Sequence, residues 1–150
     1  MSKGISFDKR DGSKLKIGIV KARWNKNITD ALLAGCMQAL SESGVKKDHI
    51  ILIEVPGAFE LPFGAKQLIK KAKVDAVVTV GTVIKGGTTH DQYINTAASL
   101  GIRDVGLETG VPVIFGILTC DNEAQAVERS CQKCNYGYWW GKSAIEMALL

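Results

Sequence analysis

The chain has 150 residues, of which 46% are hydrophobic and 23% charged, a composition typical of one soluble globular domain rather than of a disordered chain. Its net charge of +4 is small and its basic residues are scattered, which argues against nucleic acid as a partner and suits small anionic substrates. Because no run approaches the ~18 apolar residues of a transmembrane helix and the opening lacks the apolar stretch of a secretory signal, we expect a cytoplasmic protein without a membrane partner.

The first elements predicted along the chain are an arm, a strand and an amphipathic helix. Residues 1–14 form the arm, with a short edge strand around residues 5–7 whose pairing depends on its neighbours. The apolar run 15–20 is typical of a buried strand. A helix capped by Asn25 or Asn27 follows, because apolar residues recur there at helical spacing.

The rest of the chain continues the alternation of strands and helices. Three further strands are predicted at residues 50–55, 76–80 and 111–118. Four further helices are predicted at residues 61–71, from about 90 to 105, 122–129 and 143–150. In the third helix the pattern directs these residues toward the sheet: Ile94, Ala97, Ala98, Gly101, Ile102 and Val105. This order predicts one α/β domain over 15–150, with a four-stranded parallel sheet between two layers of helices.

A glycine- and threonine-rich loop joins the third strand to its helix. Backbone amides from Gly86 to Thr89 and two hydroxyl groups can converge on an anion there, with the positive end of the helix dipole behind them and Lys85 beside them. His90 falls in the first turn, where an imidazole can accept a proton close to a bound phosphate. The alternatives are a glycine-rich turn that binds nothing and a histidine that only caps the helix.

The carboxyl ends of the four predicted strands should meet at one edge of the sheet, where open α/β sheets bind ligands. Trp24 offers a flat face for a planar ring, Asn25 and Glu60 offer polar partners, and Arg129 offers a paired donor for phosphate. Taken singly, the tryptophan suits packing, the glutamate suits a helix dipole and the arginine suits a solvated surface.

Four cysteines raise the question of a metal or redox site. Cys36 and Cys120 fall in predicted core elements, where cysteine behaves as a small hydrophobic residue. Cys131 and Cys134 form one CxxC motif, but no second pair accompanies it, and it follows a helix where a thioredoxin-type motif would follow a strand. The pattern therefore does not favour metal or redox use of this motif.

Five segments carry a resemblance to a known family. They are KARWN at 21–25, VPGAFELP at 55–62, GTVIKGGTTH at 81–90, GVPVIFGILTCDNEAQAVER at 110–129 and SAIEM at 143–147. Together they resemble the 6,7-dimethyl-8-ribityllumazine synthase family from about residue 15 to the end, and Trp24 is similar to its fungal branch.

The resemblance implies a flavodoxin-like enzyme of riboflavin biosynthesis. It would be a transferase that condenses 5-amino-6-ribitylamino-uracil with 3,4-dihydroxy-2-butanone 4-phosphate and releases phosphate and water, without metal or cofactor. The catalytic residue it implies is His90. The substrate-binding residues it implies are Trp24, Asn25, Ala58, Phe59, Glu60, Thr82, Val83, Ile84, Gly87, Thr88, Phe115 and Arg129.

In this family the pocket lies between two subunits, with the positions of Phe115 and Arg129 supplied by the neighbour, so we expect a homo-oligomer, a homopentamer rather than a shell of twelve such rings. The chain departs from the family pattern at Asp91, where an aromatic residue is usual, and at residues 130–142, where SCQKCNYGYWWGK replaces a polar loop. A flavin- or lumazine-binding protein without turnover is therefore the alternative. A dinucleotide-binding domain is disfavoured because no GxGxxG follows the first strand.

Overall fold

Residues 5–14 of the predicted arm contain no strand in this structure, a computed structural model that describes residues 5–150. The first four residues of the predicted arm therefore lie outside the described residues. The edge strand expected at 5–7 is absent from the single chain, where Ile5 is 62% exposed. Further along, the arm is held against the end of the first helix, because the amide of Gly12 donates to Ser43 O over 2.7 Å.

Five parallel strands and five α-helices make up the fold. The strands are β1 (Ile17–Ala22), β2 (Ile50–Val55), β3 (Ala76–Ile84), β4 (Val113–Ile114) and β5 (Ile117–Cys120). The helices are α1 (Lys26–Glu42), α2 (Leu61–Ala72), α3 (His90–Thr109), α4 (Glu123–Ser130) and α5 (Tyr136–Ala148). The sheet has the order β2-β1-β3-β4, and β5 also pairs with β3. The predicted α/β sandwich with a parallel sheet is confirmed, with five strands in place of four.

The two faces of the sheet build two hydrophobic cores, as the alternation along β1 shows. Ile17 and Ile19 pack with α1 and α5 on one face, whereas Val20 and Ala22 pack with α2 and α3 on the other. Successive residues of a strand point to opposite faces, so a buried strand must be apolar throughout. No helix within residues 5–150 has the length and apolar character needed to cross a membrane.

The strand after Gly110 is split in two, contrary to the single strand predicted at 111–118. The split follows from Thr79 on β3, whose hydroxyl donates to Ile114 O at 2.7 Å and accepts from the amide of Gly116 at 2.9 Å. A Cβ at Gly116 would lie 1.7 Å from the carbonyl oxygen of Thr79, so only glycine allows this close approach. Past the split, β5 pairs with β3 from Gly81 to Ile84.

Strand β3 is therefore four residues longer than predicted, and residues 81–84 belong to the strand rather than to the loop. Strand β1 is shifted by two residues, so Lys21 is a strand residue and not part of the exit loop. Its side chain is buried, and its ammonium lies 2.6 Å from Asp30 Oδ1 and 3.0 Å from Glu54 Oε2. Burial lowers the pKa of Lys21, but the hydrogen bonds to Asp30 and Glu54 outweigh it and leave the pKa raised.

The helices differ from the prediction mainly at the C-terminal end. Helix α5 begins at Tyr136 rather than at residue 143, because the side chain of Asn135 accepts from the amide of Tyr138 and caps it. In α3, Ala97 is exposed instead of facing the sheet, whereas Ala98 and Ile102 are buried as expected. Strand β2 and helix α2 match their predicted starts, and the side chain of Asn122 caps α4 by accepting from the amide of Gln125 at 3.0 Å.

Candidate functional site

A pocket of about 480 Å³ opens at the carboxyl end of the sheet, where β1, β2 and β3 end side by side. It is the edge at which parallel sheets bind ligands. The lining residues are Trp24, Asn25, Pro56, Gly57, Ala58, Phe59, Glu60, Thr82, Val83, Ile84, Gly86, Thr88, His90, Asp91 and Ile94. Most of the residues singled out in the sequence therefore come together within one chain.

The exit of β1 is fixed by contacts with its neighbours. The amide of Trp24 donates to Pro56 O at 3.1 Å, so this loop runs alongside the exit of β2. Asn25 takes a left-handed conformation with φ of 59°, which asparagine tolerates better than most residues. It occupies the predicted cap position of α1, but its side-chain amide donates to Thr82 O at 2.9 Å instead of capping. The indole of Trp24 is 74% exposed at the pocket mouth.

The exit of β2 forms a short 3-10 helix, Ala58–Glu60, that leads into α2. Ala58 is buried and Phe59 is exposed, so the two present a floor and a rim to the pocket. Glu60 precedes the first residue of α2 but makes no side-chain capping bond there. Its carboxylate is directed instead toward Gly57, where a Cβ would lie 3.5 Å from Oε2. Glu60 therefore lies both at the start of α2, where the helix dipole favours its charge, and in the lining of the pocket.

The exit of β3 is the glycine loop that leads into α3. A Cβ built at Gly86 or Gly87 would meet no described atom within 4 Å, so the backbone is open to a ligand. The amide of His90 lies 3.4 Å from Thr88 Oγ1, and Thr89 at the cap position makes no side-chain capping bond. The amide of Gln92 also donates to Thr89 O at 3.0 Å, so the start of this 20-residue helix offers an anion mainly the positive end of its dipole, with His90 in the first turn.

Three of the predicted residues do not line the pocket: Gly87, Phe115 and Arg129. Phe115 lies at the split between β4 and β5 and is 44% exposed. Arg129 donates to Gln125 O on its own helix at 3.0 Å, and its side chain is 32% exposed. Burial raises the pKa of the Cys120 thiol, and the guanidinium of Arg129 opposes that rise, which places Arg129 near the end of β5. Arg129 thus lies near the carboxyl edge of the sheet, whereas Phe115 lies beside the middle of β3, close to Thr79, and neither residue joins the pocket.

Five lining residues were not among the predicted site residues: Pro56, Gly57, Gly86, Asp91 and Ile94. The first three belong to turns already expected at strand ends. Ile94 lies one helical turn after His90, and residues four apart share a helix face, so the helix spacing contained this signal. Asp91 had no such signal, because nothing in the pattern distinguishes the two faces of the first turn.

Two polar atoms of the lining have no hydrogen-bond partner within residues 5–150. They are the hydroxyl of Thr82, a residue only 3% exposed, and Oδ1 of Asp91. Buried polar groups are ordinarily paired with protein or water. Unpaired groups in a pocket lining are typical of a site that hydrogen-bonds a polar ligand.

Residues 130–142 do not reach this pocket in their own chain, although three aromatic residues there replace the polar ones expected. The hydroxyl of Tyr138 donates to Glu42 Oε2 on α1 at 2.5 Å, and the rings of Tyr136 and Trp139 lie 5.1 Å apart. These side chains fasten α5 to α1 on the far core of the sheet. A second cleft, of about 730 Å³, separates them from the end of α4.

One comparison with known proteins bears on this geometry. The model of a protein family described as 6,7-dimethyl-8-ribityllumazine synthase matches residues 14–150. The match therefore includes every strand and helix of the fold and every residue that lines the pocket.

Proposed function

The chain belongs to the 6,7-dimethyl-8-ribityllumazine synthase family, whose members are transferases, and from that premise we propose that it condenses 5-amino-6-ribitylamino-uracil with 3,4-dihydroxy-2-butanone 4-phosphate. The products are the lumazine, phosphate and water, in the penultimate step of riboflavin biosynthesis. The observation that carries the proposal is the joining of a ring-sized pocket to an open glycine loop at the start of a helix. Because both substrates are polar molecules that cross apolar layers poorly, we place this step in the cytoplasm.

The pyrimidine and its ribityl chain occupy the part of the pocket formed by β1 and β2. Trp24 is exposed at the mouth and stacks on the ring, in the manner of aromatic side chains on planar ligands. Asn25 and Glu60 supply polar partners to the ring and chain, while Ala58 and Phe59 supply apolar contact. Thr82, Val83 and Ile84 at the end of β3 line the ring pocket with backbone groups and the unpaired Thr82 hydroxyl.

The butanone phosphate occupies the part formed by the glycine loop. Gly87 and Thr88 cradle the phosphate with backbone amides and a hydroxyl group, and the N-terminus of α3 favours its negative charge. His90 lies beside this site in the first turn and moves protons to and from the reacting atoms. Such help is worth about 10²–10⁴ in rate.

The chemistry suits a site without a protein nucleophile. The amine of the pyrimidine attacks the ketone, water departs to give an imine, phosphate is eliminated and the ring closes. These steps demand orientation of two substrates and transfer of protons, both of which the pocket residues can provide. The phosphate site anchors the small substrate and stabilises the departing anion.

We propose that a neighbouring subunit completes the site with its own Phe115 and Arg129, as the family resemblance implies. The support is that neither residue lines the pocket of its own chain. Apolar side chains also stand out on the α2–α3 face, where Phe63 is 68%, Tyr93 73% and Leu107 78% exposed. A single heterologous contact repeated around an axis closes a ring, so we propose a homopentamer in which residues 1–14 act as an arm that reaches the neighbour.

The test of activity is to mix the purified protein with both substrates and follow the fluorescence of the lumazine. We expect turnover that requires both substrates together. Binding of lumazine or riboflavin with quenching of Trp24 fluorescence but without turnover would contradict the proposal and support the binding-protein alternative.

The test of assembly is light scattering on fresh protein. We expect a mass near five times that of the 16.2 kDa chain. A mass roughly sixty times that of one chain would indicate the closed shell of twelve rings. Leu107→Asp should shift the protein toward monomers, while Lys70→Asp, at another exposed helix position, should not. A monomer with full turnover would refute the shared site.

A further inference from the structure

The turn between α4 and α5 contains two cysteines, Cys131 and Cys134, that the pocket does not use. The amide of Cys134 donates to Cys131 O over 3.1 Å and closes the turn. A four-residue turn holds its first and last Cα atoms within about 7 Å, and disulfides join residues whose Cα atoms are about 4.4–6.8 Å apart. The backbone therefore already brings this pair close to bonding separation.

A side-chain contact across the turn holds it in this shape. The amide group of Asn135 donates to Ser130 O at 3.1 Å and to Ala31 O on α1 at 2.9 Å. Ser130 and Asn135 are the residues on either side of the CxxC segment. The ends of the segment are thus joined to each other and to α1, and the Cys131 thiol donates to Glu128 O at 3.3 Å, a hydrogen bond that a disulfide would replace.

Accessibility separates this pair from the other two thiols of the chain. Cys131 is exposed and Cys134 half-buried, and Cys134 also lines the second cleft together with Gln132 and Lys133. Cys36 and Cys120 are buried, and burial raises the pKa of Cys36 to about 12. The chain therefore contains its own internal controls for any thiol reagent.

A zinc site is not the best interpretation of the pair. Structural zinc takes four ligands, and residues 5–150 contain no group of three or more His, Cys, Asp or Glu side chains arranged to hold a metal ion. The motif also begins where a helix ends rather than where a strand ends, unlike the catalytic thioredoxin motif. Two close, accessible thiols without further ligands suit reversible oxidation to a disulfide.

We propose that Cys131 and Cys134 form a dithiol–disulfide site that is oxidised by low-molecular-weight disulfides of the glutathione type. The exposed Cys131 thiolate attacks one sulfur of the small disulfide, whose S–S bond breaks and releases one thiol. The Cys134 thiolate then attacks Cys131 Sγ in the mixed disulfide and releases the second thiol. The protein loses two electrons and two protons, which reduce the small disulfide to two thiols. This site does not depend on the proposed activity.

The experiment treats the intact protein with oxidised glutathione and measures its mass before and after tryptic digestion under non-reducing conditions. Trypsin cuts after Arg129, Lys133 and Lys142, so it separates the two cysteines unless a disulfide joins the peptides 130–133 and 134–142. We expect the wild-type chain to lose two hydrogens, to retain no glutathione and to yield the linked peptides.

Two single variants test the order of the steps. Cys134→Ser should stop at the mixed disulfide and retain one glutathione on Cys131, at a level at least about tenfold above wild type, because an intramolecular thiol acts at high effective concentration. Cys131→Ser should react more slowly, since only the half-buried thiol remains. Stable glutathione on wild-type protein, disulfides between subunits, or no reaction at Cys131 and Cys134 while denatured protein reacts would each overturn the proposal.

Discussion

The proposed site divides into two regions that differ in how much of them a single chain completes. The exits of β1, β2 and β3 together form the lining of one pocket. Contacts between loops and strands hold its residues in place, such as the 2.9 Å hydrogen bond from the side-chain amide of Asn25 to Thr82 O. Arg129 lies near the end of β5 and Phe115 at the junction of β4 and β5, and neither residue lines any part of that pocket. One chain alone completes the first region, which we call the β1–β3 region. The second, which we call the Phe115–Arg129 region, lines no part of the pocket in its own chain.

The difference follows from the strand order. Strands β2, β1 and β3 are direct neighbours, so their three exits converge, whereas β4 and β5 lie on the far side of β3. Arg129 is also occupied locally, by Gln125 O at 3.0 Å and by Glu128 at 3.5 Å. Because such surface contacts contribute little free energy, the guanidinium can leave them to bind a phosphate. This difference is what we expect if, as proposed, the ring and proton-transfer region belongs to one subunit and the charged partner of the phosphate to the next.

The largest expected effect comes from a substitution in the β1–β3 region. His90→Ala should slow turnover by roughly ten- to a thousandfold with little loss of substrate binding, because it removes general acid–base help but no anchoring contact. Steady-state kinetics with both substrates measures it. His49→Ala, at the chain's other histidine and outside the pocket, is the matched control. Unchanged turnover in the His90 variant would remove this residue from the mechanism.

The next largest effect concerns the Phe115–Arg129 region. Arg129→Ala should raise the concentration of butanone phosphate needed for half-maximal rate by roughly ten- to a hundredfold, since a charge-assisted hydrogen bond is worth about 1.5–3 kcal/mol. The requirement for the pyrimidine should change little. Arg129→Lys should recover part of the loss, and Arg103→Ala, in a surface pair with Asp104, should have no effect. Equal effects on both substrates would count against a phosphate contact.

Mixed oligomers decide whether the two regions come from different subunits. When the His90→Ala and Arg129→Ala chains are unfolded together and refolded as one mixture, random assortment in a ring gives about one quarter of the interfaces an intact histidine and an intact arginine. Activity should therefore rise well above that of either variant alone, provided that butanone phosphate is kept well below the concentration that the Arg129 variant needs for half-maximal rate. If both residues served one chain, no mixture would contain an intact site and activity would stay at the level of the variants.

Much of the β1–β3 region was predictable because the sequence signals that identify it are local. Apolar runs, turn residues such as Pro56 and Gly57, and the glycine loop identify strand exits, and the parallel-sheet rule brings those exits together. The contact between Asn25 and Thr82 was not predictable, since the pattern offered Asn25 only as a helix cap or as a polar partner for a ligand. Residue patterns alone do not tell a contact within a chain from one between chains, and only the family resemblance assigned Phe115 and Arg129 to a neighbouring subunit.

The elements that the sequence misplaced depend on contacts between distant residues. The split of β4 from β5 arises where Gly116 approaches the backbone of Thr79, and a continuous apolar run contains no trace of that approach. Helix α5 begins early because Asn135 caps it and Tyr136 and Trp140 pack against the core formed with α1. Tertiary packing of this kind overrides the weak local preference of an aromatic run.

The smallest expected effect tests whether residues 130–142 are structural rather than part of the site. The hydroxyl of Tyr138 donates to Glu42, which also accepts from Gln38, and these hydrogen bonds hold the pKa of Glu42 below its ordinary value of 4.5. The same bond to Glu42, with burial, raises the pKa of Tyr138 above its ordinary value of 10.0. Tyr138→Phe should leave turnover unchanged, because this side chain lines the second cleft and not the pocket.

The stabilisation that Tyr138 provides should be confined to a window of pH. A lowered carboxyl pKa contributes stability above the unfolded value near 4.5 that is lost as the pH falls through the folded pKa. A raised phenol pKa contributes stability below the unfolded value near 10.0 that is lost as the pH rises through the folded pKa. Tyr138→Phe should therefore lower the denaturation midpoint slightly at neutral pH and hardly at all below the folded pKa of Glu42. NMR titration should show the Glu42 pKa moving up toward its ordinary value in the variant. A fall in turnover with the Glu42 pKa unchanged would instead place Tyr138 in the site of a neighbouring subunit. Tyr138 would then belong with Phe115 and Arg129.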